Sequence, residues 1–199
     1  MDLDDLRGWM QGEDAVVVGC GPSAQDHPYD PPYGTPYTEH WTIACNRAVT
    51  FAQPDFAVCV EPWRDPIWAT MRKASPLVVF THLCESKRGK KAHPRAVEIG
   101  AKDVLEWLRQ SACPMAPLTL GQSPFFASAV ATLLGFETVG VIGVDLTEDR
   151  YPDVRGINRV WKRLADVCDT LGTRLVNLNP ESRLDALPAG SWDEIRTKL

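Results

Sequence analysis

Short apolar runs punctuate the chain at 15–19, 41–45, 56–60, 77–81, 138–144 and 173–177, each of strand length and separated by helical or irregular stretches. Alternation of this kind predicts an α/β fold, doubly wound around a mostly parallel sheet. Ser123 to Leu134 is small and apolar throughout and stops at Gly135, which predicts a buried helix with a glycine past its end. Arg155 to Leu171 places Val160, Leu164, Val167, Cys168 and Leu171 on one helical face. Arg159, Lys162, Arg163 and Asp166 fall on the other, so this segment predicts an amphipathic helix ending at Gly172. Trp192 to Leu199 reads as a short final helix.

Two segments break this rhythm. Residues 27–37 hold four prolines and three tyrosines, which excludes a regular helix and leaves either a covering loop or an aromatic pocket wall. Glu85 to Lys91 concentrates Lys87, Arg88, Lys90 and Lys91 in a chain of formal net charge -5. That acidic balance argues against a protein that coats nucleic acid, so nucleic-acid or phosphate contact is left only to this 87–91 segment, which reads first as a solvated loop. With 199 residues, 44% of them hydrophobic, the chain has material for one substantial core and reads as a single domain over 1–199. No apolar run has the length of a membrane span, and Met1 to Gly12 has no basic region followed by an apolar one, so the expected location is cytoplasmic. Six cysteines without any C-x-x-C spacing read as reduced thiols rather than zinc ligands or disulfides.

The chemistry is expected where the strands end, because ligands of open parallel sheets gather at the carboxyl ends. The first apolar run stops at Gly19-Cys20-Gly21-Pro22-Ser23, where two glycines remove Cβ atoms from a turn and Pro-Ser can open a helix. Such a turn either presents N–H groups to a phosphate or is purely structural. It lacks the third glycine of a dinucleotide fingerprint and the Gly-Lys-Ser/Thr of a P-loop. Asn46 and Arg47 follow the second run. Asn46 can donate and accept toward a base or ribose, and Arg47 can pair with phosphate; each can also cap a neighbouring helix. Glu61 and Asp145, after the third and fifth runs, could jointly hold Mg²⁺ on a pyrophosphate, or else serve as an ion-pair partner and a turn cap. Ser123 and Pro124 form a second anion-friendly helix start. Thr147 to Arg159 is polar and Pro-containing and reads as a lid with Arg150, Tyr151, Arg155 and Arg159 over the crevice.

The order of six motifs, VVVGCGPS (Val16 to Ser23), IACNR (Ile43 to Arg47), PDFAVCVEP (Pro54 to Pro62), SPFFASAVATLLGF (Ser123 to Phe136), VGVIGVDL (Val139 to Leu146) and NLNPESRL (Asn177 to Leu184), resembles a superfamily of Rossmann-like transferases. It includes bacterial sialyltransferases of the lipooligosaccharide type and archaeal 6-hydroxymethylpterin diphosphokinase-like proteins. The resemblance implies a Rossmann-like topology and a nucleotide contacted by Gly19, Gly21, Pro22, Ser23, Asn46 and Ser123, with Asn179, Pro180 and Ser182 at the pocket edge. The sialyltransferase branch carries a histidine general base in a long segment after the Ile-Asp strand. Here that segment is short and no histidine follows His93, so His82, at a strand end, is the histidine available to replace it. The expected catalytic set is therefore His82, Asp145 and Arg155. The expected function is a nucleotide-dependent transferase, a small glycosyltransferase moving a sugar from a nucleotide donor to a hydroxyl-bearing acceptor. A Mg²⁺-dependent diphosphokinase-like enzyme and a non-catalytic nucleotide-binding module are the alternatives.

Overall fold

The computed structural model describes residues 3–25, 36–59, 78–81, 96–98, 106–107, 123–147 and 151–198. Seven strands form one sheet: β1 (Ala15–Val18), β2 (Trp41–Cys45), β3 (Phe56–Cys59), β4 (Val78–Thr81), β5 (Ala96–Glu98), β6 (Thr138–Ile142) and β7 (Arg174–Asn177). Their order is β5-β4-β3-β2-β1-β6-β7, and every neighbouring pair is parallel. The chain thus steps outward from β1 to β5, then returns to the other side of β1 with β6. This is the doubly wound arrangement, and its topological switch point lies between β1 and β6.

Burial on both faces explains the unbroken apolar runs. In β1 all four residues are buried, with Ala15 and Val17 in one cluster and Val16 and Val18 in the other. The first cluster lies under α1 (Leu3–Leu6), α3 (Ser123–Leu134) and α4 (Val154–Thr170). The second lies under α2 (Pro22–Gln25), the 3-10 turns Pro36–Glu39 and Asn46–Thr50, and the C-terminal segment. Helix α3 is buried from Phe125 to Leu134 because it runs between the sheet and α4, which is why its sequence has no polar face. Helix α4 is amphipathic as expected, and Asp153 caps it by accepting from the Gly156 N–H at 2.8 Å. No described helix is long and apolar enough to cross a membrane.

Two expectations are corrected, and one strand was not expected. The run 138–144 is a strand only to Ile142, because Gly143 turns the chain at φ 76. The short strand Ala96–Glu98 at the sheet edge follows no apolar run long enough to announce it. The final segment is a single 3-10 turn, Trp192–Glu194, and no longer helix: Ile195 is extended and buried, and the tail is tied down by ion pairs. Arg196 donates from Nε and Nη2 to the Asp14 carboxylate, both at 2.9 Å, and Lys198 reaches Asp55 at 2.8 Å.

Asp14, 2% exposed, also accepts from the Thr138 and Arg196 backbone N–H groups. Burial opposes its charge, yet these bonds and the guanidinium hold its carboxyl below the ordinary value of 3.8. A folded value below the unfolded one contributes stability that is present above about pH 4 and is lost as pH falls through the lower value. Arg196→Ala should therefore lower stability at neutral pH and flatten the loss in acid, as read from denaturant midpoints across a pH series. Parallel pH curves for variant and wild type would show that Arg196 does not set the Asp14 charge.

Candidate functional site

The loops after β1 and β6 are interlocked at the switch point. Gly19 N–H donates to the Ile142 carbonyl at 2.8 Å, Gly21 N–H to the Gly143 carbonyl at 2.9 Å, and Gly143 N–H to Ser23 Oγ at 3.1 Å. A Cβ on Gly21 would run into the Asp145 carboxylate and would stand 2.7 Å from the Gly143 carbonyl oxygen. The glycine spacing is therefore required by two backbones in contact.

Asp145 completes this junction. Ser23 N–H donates to its Oδ2 at 3.0 Å and Asn179 Nδ2 to its Oδ1 at 2.8 Å. The protein's own carboxylate thus occupies the start of α2, where the sequence suggested a phosphate. Gly19, Gly21, Pro22 and Ser23, expected to cradle a phosphate, here form a turn that orients Asp145, and Gly21 and Pro22 line the neighbouring cleft.

That cleft, of about 200 Å³, opens at the carboxyl ends of β1, β2 and β6. Cys20, Asn46, Ser123, Pro124, Asp145 and Tyr151 are among its lining residues. It brings together two residues singled out separately in the sequence: Asn46 Nδ2 donates to Ser123 Oγ at 2.6 Å, across 77 residues of chain. Asn46 holds this position at φ 49, a left-handed conformation that Asn tolerates better than most residues. Leu146, also in the lining, stands at φ 52, where a branched residue costs of order 1–3 kcal/mol. Its side chain is 1% exposed, and that burial offsets the strain and fixes the backbone beside Asp145.

A second cleft of about 580 Å³ lies on the β7 side, lined in part by Ser23, Leu178, Asn179, Pro180, Glu181 and Arg183. Pro22, Asp145 and Thr147 belong to both clefts, so Asp145 stands on the divide. Glu181 N–H donates to Asn179 Oδ1 at 3.0 Å, which turns the Asn179 amide nitrogen toward Asp145.

Other expected residues fall elsewhere. Arg47 is exposed in the 3-10 turn after β2 and lines neither cleft. Arg155 and Arg159 are exposed on the first turns of α4, also outside both linings, so the expected lid is helical from Val154 onward. Ser182 is 8% exposed; its Oγ donates to the Val144 carbonyl at 2.6 Å and accepts from Leu184 N–H, a structural staple rather than a pocket edge. His82, Glu61, Arg150, residues 27–35 and the basic segment 87–91 lie outside the described residues. Among the described residues no three of His, Cys, Asp or Glu come together as a metal site. Cys20, a free thiol as expected, is half-buried at the cleft, where its Sγ donates to the Cys45 carbonyl at 3.2 Å. Thr147 lines the cleft at the start of the polar stretch expected over it, whereas the cleft role of Leu146 had no polar signal in the sequence.

Comparisons with protein-family models, with curated proteins and with solved structures found no match to the chain.

Proposed function

We propose that the protein is a nucleotide-dependent transferase, a small glycosyltransferase that uses a nucleotide-activated sugar. The observation that carries this reading is the Asn46–Ser123 pair. It sits at the switch point of a doubly wound sheet, where such folds bind their ligands, and the left-handed Asn46 backbone presents its amide at the cleft. The cleft volume, below the roughly 300–1,000 Å³ of common ligand pockets, suits the nucleoside end of a donor, with the remainder extending past Asp145. Ser123 and Pro124 begin a helix of 12 residues whose positive dipole end favours the donor phosphates, while the α2 start is already taken by Asp145. Catalysis would come mainly from positioning and from stabilising the departing phosphate.

A thermal-shift screen of CMP, UMP, GDP, ATP and their sugar conjugates, with and without Mg²⁺, tests the reading; stabilisation by none of them would overturn it. Asn46→Ala should weaken the responding nucleotide by roughly 1–3 kcal/mol in calorimetry, the scale for leaving a buried polar group unpaired. Lost stability at unchanged affinity would make the pair a structural cap.

One observation favours a second reading, pyrophosphoryl transfer with Mg²⁺. Each Asp145 oxygen accepts one of the two hydrogen bonds described, which leaves acceptor capacity on a carboxylate that lines both clefts. Asp145 is the one carboxylate lining the smaller cleft, and no three metal-ligating side chains gather among the described residues, so Mg²⁺ fits as an ion carried on substrate phosphates and not as one caged by the protein. Nucleotide binding that requires Mg²⁺ would select this reading over the glycosyltransferase. Binding without turnover of any donor would select a non-catalytic module.

A further inference from the structure

Resting on the glycosyltransferase reading, we propose that the larger cleft binds the acceptor as a saccharide and that Asp145, on the divide between the clefts, is the base that takes the proton of its attacking hydroxyl. A sugar presents hydroxyl edges and C–H faces. The larger cleft alternates the matching surfaces: Asn179, Glu181 and Arg183 are polar, while Ile142, Leu178 and Pro180 are apolar. Its 580 Å³ lies within the range of small-molecule sites.

A donor reaching out of the smaller cleft and an acceptor in the larger one meet at the residues the two share, of which Asp145 alone carries a titratable side chain. His40, the one histidine among the described residues, lies at the amino end of β2, packed on Trp192, and lines neither cleft. Asp145 needs no rearrangement to act, because Ser23 N–H and Asn179 Nδ2 already fix one bond to each oxygen. Asn179, itself locked by Glu181 N–H, is a positioning residue. In the step, the acceptor oxygen forms a bond to the anomeric carbon of the donor sugar as the bond from that carbon to the phosphate oxygen breaks. The bonding pair leaves with the nucleoside phosphate, and the hydroxyl proton passes to the Asp145 carboxylate.

The test uses the full chain, ¹⁵N-labelled and saturated with the nucleotide that gives the largest thermal shift. Methyl β-D-galactoside, methyl β-D-glucoside and lactose are the acceptor probes. At least one should shift the amides of Thr147, Asn179 and Glu181 while leaving that of Arg47 unmoved, and Pro180→Trp, which fills the cleft from its rim, should weaken it at least tenfold. With the matching nucleotide sugar, Asp145→Asn should lower the kcat of nucleotide release about 100-fold or more, with glycoside affinity within threefold of wild type. Asn179→Ala should lower kcat with little change in glycoside KM. No glycoside shift at those three amides, or full turnover in Asp145→Asn, overturns the proposal. Should glycosides shift those amides while no nucleotide shifts Asn46, the saccharide site stands and the nucleotide reading falls.

Discussion

Gly21→Val should cost the protein roughly 3–5 kcal/mol of stability, combining the overpacking of a closed junction with the loss of a hydrogen bond to a charged group. The new Cβ would meet the Asp145 carboxylate and the Gly143 carbonyl, which belongs to a backbone held by the Gly21 and Gly143 N–H bonds. Neither neighbour can give way cheaply. Moving Gly143 disturbs the β1–β6 junction, and moving Asp145 breaks its bonds to Ser23 and Asn179. From the sequence alone the same substitution looks like a loss of phosphate binding in a folded protein. The two accounts separate in urea denaturation: a large fall in midpoint supports the interlocked turn, whereas full stability with abolished nucleotide affinity would restore the phosphate cradle. Gly21→Ala should lie between, since its single methyl already occupies the contested position.

The sheet was legible because burial on both faces, as in β1, imposes continuous apolar runs, and six strands, β1, β2, β3, β4, β6 and β7, fall within those runs. What was not legible depended on partners distant in sequence. Two glycines and a Pro-Ser announce a tight turn, but nothing local says that a carboxylate 122 residues away will accept the Ser23 N–H. Asn46 and Ser123 could each be picked out as a polar residue where a strand ends or a helix begins; that they bond to one another is a property of the sheet order, which brings β2 beside β1 and α3 across both. Leu146 gave no signal, because a left-handed backbone at a branched residue is sustained by packing and not by propensity. Ser182, expected at a pocket edge, lines neither cleft; its hydroxyl pins the final loop to the Val144 carbonyl just past β6 and so supports the Asn179 side of the larger cleft.

Packing behind the site should matter as much as the site itself, and Trp161→Ala is expected to remove about 3–5 kcal/mol, the usual cost of deleting a fully buried aromatic side chain. Trp161 is 1% exposed on the inner face of α4 and meets Phe125 edge to face, with ring centroids 5.4 Å apart. Phe125 lies two residues after Ser123, so the same contact that joins α4 to α3 also steadies the helix start carrying the Asn46 partner. On the same helix Asn158 donates to the Arg183 carbonyl at 2.8 Å and accepts from Ala186 N–H at 2.9 Å, which ties α4 to the loop bordering the larger cleft. A cavity at Trp161 should therefore loosen both clefts as well as lower the denaturation midpoint. Trp161→Phe, which keeps an aromatic ring against Phe125, should recover most of both losses. Equal nucleotide affinity in Trp161→Ala and wild type, measured below the variant's melting temperature, would show that the helix start is held from the sheet side alone.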